Sequence, residues 1–257
     1  MTKKYQAPSV KKAFQILQLI SQSTHGLGIT ELASRLCMSK GTVHGVVSAL
    51  EELGATVRNP ATKKYQLGIT LLELGRLSYS QADIKDVARP IMEEVMEKTG
   101  ATVYVGVLNR DHITIVDIVE SREDLKITSP KGSTIPLFAG ATGKVMLAFM
   151  SDEQCEQIIR EKGLPRFTGR SITDPERFMD EIRRVRERGY ATDYEEYLAG
   201  VWAAAAPIQG WKQIPSAIWA VGFKTSLNQH GMENLIENTT HAARQISRII
   251  KDMSKNN

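Results

Sequence analysis

Cysteine is nearly missing from this 257-residue chain, which has only Cys37 and Cys155. Two thiols so far apart support neither a disulfide framework nor a thiolate metal site, and the five histidines do not cluster at ligand spacings. No metal and no other cofactor is expected. Long apolar runs are missing too. Nothing approaches the ~20 apolar residues needed to span a bilayer, and Met1 to Tyr5 carries no apolar signal-peptide core. The expectation is a cytoplasmic protein with no membrane partner. Internal repeats and low-complexity tracts are absent. So are the G-x-G-x-x-G and H-E-x-x-H motifs. Gly143-Lys144 resembles the end of a phosphate-binding loop, but that loop needs glycine at 138 and Ser or Thr at 145, where Phe138 and Val145 stand.

What remains is the composition of a globular protein, 42% hydrophobic and 24% charged, long enough for two domains with separate cores. The basic excess is confined to one end. Residues 1–68 hold nine Lys and Arg against three Asp and Glu, whereas the rest holds 24 against 26. A basic excess limited to one domain points to nucleic acid more sharply than a uniform one.

The same end carries a helix-turn-helix pattern. Leu32, Ala33 and Leu36 form the inner stripe of a short helix. Val43, Val46, Val47, Leu50 and Leu53 form that of a second, at i, i+3, i+4, i+7 spacing. Small Ala33 suits the close crossing, and the second helix of such a pair enters the major groove. Cys37 stands where the turn favours a left-handed glycine, a strain of about 1–2 kcal/mol. Ser39 is the expected N-cap. Lys40, Gly41 and Thr42 occupy the positive first turn, suited to phosphate. His44 and Ser48 can reach base edges, and Gly41 and Gly45 permit close approach. A short hairpin follows, Ala55–Arg58 and Lys63–Leu67 around Asn59-Pro60-Ala61-Thr62. Tyr65 and Leu67 are expected to point inward. Arg58, Lys63 and Lys64 are expected near the tip, against phosphates or a narrow minor groove. A solvated helical pair with a solvated basic hairpin is the bland alternative.

A first helix, Ser9 to Ser21, is expected to begin at a Ser9 cap and to bury Val10, Phe14, Leu17 and Ile20. The domains expected are a winged helix-turn-helix at 1–70, linker helices at 71–99, and a mixed α and β domain at 100–257. The linker comprises an amphipathic stretch from Leu71 to Leu77, a polar joint at Ser78–Ala82, and a helix to Thr99 that contains Pro90. Beyond Gly100 the texture is mixed. Thr102–Leu108 and His112–Val119 read as a hairpin, with edge pieces at Ile127–Ser129 and Ile135–Leu137. Ala204–Ile208 and Ala217–Val221 read as strands. Helices are expected at Ala141–Met150, Asp152–Arg160, Pro175–Arg188 and Glu233–Met253, with a Ser151/Gln154 capping box and an Asp174 cap before Pro175. The fold class is α+β, an antiparallel sheet flanked by helices beside the winged domain. Asp193, Glu195 and Glu196 could in principle serve acid–base chemistry, but acids after Gly-Tyr more often belong to a solvated loop or contact a ligand.

The order of these parts resembles the IclR family of transcriptional regulators over essentially the full chain. The resemblance rests on Leu32-Ala33 with Thr42-Val43, Lys64 to Gly68, Gly140-Ala141-Thr142-Gly143-Lys144, Arg186 to Tyr190, Glu195-Glu196, and Gly200 before Ala205-Ala206-Pro207-Ile208. It implies a GAF-like effector-binding domain and assembly as a dimer or a tetramer of two dimers. It also implies regulation, with repression expected over activation, of genes for the catabolism of small organic compounds. The partners implied are double-stranded DNA with a roughly palindromic operator and a small-molecule effector, typically a carboxylate. Gly140, Ala141 and Thr142 match the segment whose N–H groups meet an anionic ligand, and Asp193 matches a polar pocket position. Many relatives carry a cysteine soon after the glycine matching Gly200, and serines on the last strand. Here stand Val201-Trp202-Ala203, with Ala220 and Gly222 beside Trp219. Trp202, Ala203, Trp219, Ala220 and Gly222 are therefore expected to shape a larger or more apolar pocket, suited to an aromatic acid. The alternative has both tryptophans in the core or an interface. An enzyme built on the second domain and a DNA-binding architectural protein without an effector are the competing functions.

Overall fold

The structure is a computed structural model describing residues 7–80 and 84–255; part of the polar joint, Gln81-Ala82, lies outside the described residues. The chain divides into two compact units, 1–81 and 82–257.

The first unit packs α1 (Pro8–Ser21), α2 (Ile29–Arg35) and α3 (Lys40–Glu52) against a two-stranded wing, β1 (Thr56–Arg58) and β2 (Tyr65–Leu67), followed by α4 (Ile69–Ser80). Its core is Ile16, Ile20, Leu27, Leu32, Val43, Val47, Leu50 and Tyr65. Several expectations need correction. The α1 helix starts at Pro8 after Ala7, without a side-chain cap, so Ser9 lies inside it. It turns Ile16 and Ile20 inward, leaving Val10 and Phe14 exposed. Leu53 and Leu67 are exposed too, because α3 ends at Glu52 and only Tyr65 of the second wing strand faces the core.

The second unit is a six-stranded antiparallel sheet of order β5-β4-β3-β8-β7-β6. Its strands are β3 (Thr102–Asn109), β4 (His112–Val119), β5 (Thr134–Pro136), β6 (Ala191–Tyr194), β7 (Val201–Ile208) and β8 (Ser216–Phe223). Ile127–Ser129 is not a strand, and β6 had no strand signal strong enough to mark it. Helices α5 (Ile84–Thr99) and α9 (Gln229–Lys255) cover one face; α6 (Gly140–Ala148), α7 (Asp152–Lys162) and α8 (Pro175–Arg188) lie on the other. The sheet is thus buried on both faces, and its core splits into two layers. Helix α5 buries Ile84, Ala88, Ile91, Met92, Val95 and Met96 in the first layer and runs unbroken through Pro90. The Ser151/Gln154 capping box and the Asp174 cap with Pro175 at the first helical position form as the sequence signals. Among the described residues no helix is long and apolar enough to cross a membrane, and no group of His, Cys, Asp and Glu could hold a metal.

Candidate DNA interface and effector cavity

In the first unit, α2 and α3 cross at Ala33 and Val43, both buried. The turn between them is held by the Met38 N–H donating to Ala33 O at 3.0 Å, with Cys37 at φ +51. A non-glycine residue therefore occupies the left-handed position, and the strain is present. Ser39 caps α3, accepting from the Thr42 N–H at 3.1 Å, and its hydroxyl also bonds the Thr42 hydroxyl at 2.9 Å. With Val43, Val47 and Leu50 inward, the helical period turns Gly41, His44, Gly45 and Ser48 to the opposite face. Lys40, Gly41, His44 and Gly45 are exposed and Ser48 is half-buried.

The two glycines are informative because the protein does not need them. A Cβ at Gly45 would meet nothing within 4 Å, and one at Gly41 only Ser39 Oγ at 4.0 Å. Glycine inside a helix costs roughly 0.5–1 kcal/mol relative to alanine. Neither packing nor positive φ demands it here. What the glycines provide is a bare backbone surface on the outward face.

The wing tip is built by Asn59, whose Oδ1 accepts from the Ala61 and Thr62 N–H groups at 2.9 and 3.0 Å. Lys63 sits at φ +60 on the tip and is exposed. Arg58 lies over the Tyr65 ring, 5.8 Å from its centroid. Lys64 is partly engaged within the protein, 3.6 Å from Glu31 Oε2. The Gly28 N–H donates to the same carboxylate, which holds Glu31 below the usual carboxylate range with help from Lys64. Of the three wing cations, Lys63 is the most available.

In the second unit, a cavity of about 160 Å³ lies between the sheet and the start of α6. Of the residues singled out for an effector, Ala141, Thr142, Asp193, Ala203 and Trp219 line it. Trp202, Ala220 and Gly222 do not, which corrects their assignment. The reason is strand alternation: once Ala203, Trp219 and Val221 face the cavity, their neighbours must point through the sheet to the α5/α9 layer. Trp202 packs there edge-on against Tyr194, centroids 5.1 Å apart. Gly222 makes room for Leu227, which a Cβ would approach to 2.8 Å.

Tyr104, which no motif in the sequence marks, also lines the cavity. It pairs with Trp219 across β3 and β8, and the rings stack at 5.3 Å and 7°. Its hydroxyl donates to Ile127 O at 3.0 Å, and burial pushes the phenol up to about 12. Gly106 is the space-maker, since a Cβ there would come within 2.8 Å of the Trp219 indole and 2.7 Å of Thr114 O. The signal that could have found Tyr104 is the shared parity of positions 104 and 106 on a strand paired with the last one.

The polar end of the cavity is the start of α6. Its first turn, Gly140 to Thr142, is buried, and Ala139 offers no side-chain cap. The first N–H groups of a helix lack partners within it and carry the positive end of its dipole. The Thr142 hydroxyl has no partner among the described residues. Gly140 lies behind this edge at φ +46, where a Cβ would collide with Asp193 Oδ2.

Asp193 accepts from the Glu196 N–H at 2.5 Å and the Tyr197 N–H at 3.3 Å, tying down the loop whose Tyr197 and Leu198 close the cavity. Burial raises its carboxyl to about 6, against the opposing pull of the Glu196 N–H. Glu196 pairs with buried Lys144 at 2.7 Å, and Glu195 pairs with Lys224 at 2.9 Å. Each of the three acids thus has a structural bond, and the lysine of Gly143-Lys144 is a buried ion-pair partner.

Residues 9–60 match the IclR helix-turn-helix domain and residues 77–248 match the bacterial transcriptional regulator IclR C-terminal domain. The chain is 32% identical over 240 residues to the HTH-type transcriptional regulator KdgR of Escherichia coli, covering 93% of this chain and 91% of that protein. An IclR transcriptional regulator from Alicyclobacillus acidocaldarius superposes with a TM-score of 0.81 at 27% identity, over 96% of this chain and all of that one. An IclR homologue from Microbacterium hydrocarbonoxydans, solved with 4-hydroxybenzoate, shares the fold at a TM-score of 0.74 and 23% identity, over 95% and 99% of the two chains. These relatives are regulators of transcription and not enzymes. The chain, with its helix-turn-helix and its effector-type second unit, belongs to the IclR family of bacterial transcriptional regulators.

Proposed function

We propose that this protein is a cytoplasmic repressor that binds a roughly palindromic operator as a homodimer or as a tetramer of two dimers. It would release or reposition on that operator when a small planar carboxylic acid enters the second unit. The observation that carries the DNA reading is the outward face of α3. It combines exposed His44 and half-buried Ser48 with two glycines that the protein's own packing does not require. His44 and Ser48 read base edges. Ser39, Lys40 and the first-turn N–H groups hold phosphate, and Lys63, Arg58 and Lys64 follow the backbone or minor groove.

The effector class follows from the second unit. The N–H groups of Ala141 and Thr142, with the Thr142 hydroxyl, favour one carboxylate at one end of the cavity. The stacked Tyr104 and Trp219 favour a flat apolar body at the other. At about 160 Å³ the cavity is smaller than the several hundred Å³ usual for ligand sites, so a single ring or a short chain fits and a larger effector does not. That a homologue of the same fold was solved with 4-hydroxybenzoate agrees with this class. Self-association is supported by exposed Val10 and Phe14 on α1 and Leu72, Leu74 and Leu77 on α4, apolar surface that a monomer rarely leaves uncovered. A second copy related by a two-fold axis would also match a palindromic operator.

DNase protection of DNA upstream of the gene, with and without small aromatic and aliphatic acids, tests the proposal. A salt-sensitive, two-fold footprint shifted by a one-ring acid is expected. Protection that no acid alters would remove the effector reading, and absence of protection on any upstream DNA would remove the operator reading.

A further inference from the structure

A second concavity, separate from the effector cavity, lies in the second unit between α9 and the segment leaving β7. This groove of about 750 Å³ is floored by Pro207, Gly210, Thr240 and Ala243 and edged by Arg244, Arg248 and Lys251. The three cations stand at i, i+4 and i+7, so they share one face of α9 and span about 10 Å. No Asp or Glu lines the groove. None of the three has an ion-pair or hydrogen-bond partner among the described residues, although most arginines of this unit are paired. Beneath them, Thr240 is 9% exposed and its hydroxyl is buried without a partner. Ser247 ties the groove's wall to its floor, its hydroxyl accepting from the Gln209 N–H at 2.9 Å while donating to Ala243 O.

Like charges one helical turn apart repel, and a buried hydroxyl without a partner is costly, so the helix carries two unfavourable features at one place. Both are relieved by the same kind of occupant. We propose that this groove binds a compact small molecule bearing two or more anionic groups spaced over one to two helical turns. A phosphorylated metabolite or a polycarboxylate has this chemistry. Arg244 and Arg248 would each grip one oxyanion through paired N–H donors, and Lys251 would add a third charge at the rim. Because the site shares no residue with the effector cavity, such a ligand would be a second, independent input.

Isothermal titration of the full chain with inorganic tripolyphosphate and, separately, citrate at low salt tests this. The wild type is compared with R244Q/R248Q, with K251Q, and with K63Q/K64Q, which controls for polyanions binding the wing. The expected result is one saturable event per chain. It weakens at least tenfold in R244Q/R248Q and several-fold in K251Q, persists in K63Q/K64Q, and fades as sodium chloride rises. Which anion binds distinguishes phosphate from carboxylate. The proposal is overturned if R244Q/R248Q, folded by circular dichroism, titrates like the wild type. It is equally overturned if neither anion binds, or if sedimentation shows that the arginine variant loses a subunit contact, since a second copy would then fill the groove.

Discussion

Replacing Gly45 by alanine separates folding from recognition. Residue 45 lies in the middle of α3, and a Cβ there meets no atom of the protein within 4 Å. Alanine in a helix interior is favoured over glycine by about 1 kcal/mol, through reduced backbone entropy in the unfolded chain. With a urea slope of about 1 kcal/mol/M for a small domain, the unfolding midpoint of the first unit should rise by up to about 1 M. In the proposed complex the same methyl would face the groove floor, where α3 comes closest to the base pairs. Operator affinity should therefore fall about tenfold or more, equal to a loss of about 1.4 kcal/mol, with the salt slope unchanged because no phosphate contact is removed. Urea denaturation followed by tryptophan-independent circular dichroism gives the first quantity, and fluorescence anisotropy on labelled operator the second. A G45A protein that is more stable and binds normally would show that this face does not enter the groove. A less stable one would refute the claim that the space around Gly45 is open.

Other outcomes follow from the same reasoning. K63Q should weaken binding to all DNA sequences and reduce the slope of log affinity against log salt by about 0.9, with a smaller effect from K64Q because Lys64 already leans on Glu31. Thr142→Val should leave folding nearly unchanged while weakening the acid effector several-fold in titration, whereas Trp202→Ala should cost about 3 kcal/mol in denaturation without changing effector affinity, since Trp202 packs behind the sheet. Asp193 ionises near 6 when folded and near 3.9 when unfolded, so protonation favours the folded state. Stability of the second unit should thus fall by about 2–3 kcal/mol as pH rises from about 4 to 6, and Asp193→Asn should flatten that slope in urea titrations. Glu195, held low first by Lys224, makes its opposite contribution below about pH 4.5, which overlaps only the acid edge of that window.

How much was legible from residues alone differs between the two units. In the first, the decisive information is local. The 3.6-residue period of Val43, Val47 and Leu50 fixes which side chains of α3 face out, and the Ser39 cap fixes where the helix begins. The outward face of α3 was therefore readable before any fold was known. The errors came where packing partners decide. Val10 and Phe14 belong to the apolar pattern of α1, yet the core covers Ile16 and Ile20 fully and Leu17 in part, and leaves those two exposed. In the second unit, a strand buried on both faces is apolar at every position. Trp202 and Trp219 thus looked equivalent in the sequence, and one step of register separates a cavity wall from a core residue.

Residue order alone places a basic helix-turn-helix with a wing ahead of a mixed α/β domain. Helical periodicity, capping residues and charge localisation are all short-range properties of the chain. Tertiary structure alone decided the cavity of the second unit. Its stacked Tyr104 and Trp219 are more than a hundred residues apart and meet only through the β3–β8 pairing. Its volume depends on Gly106 yielding space to an indole from another strand. Such contacts depend on long-range pairing and register, which no local pattern encodes.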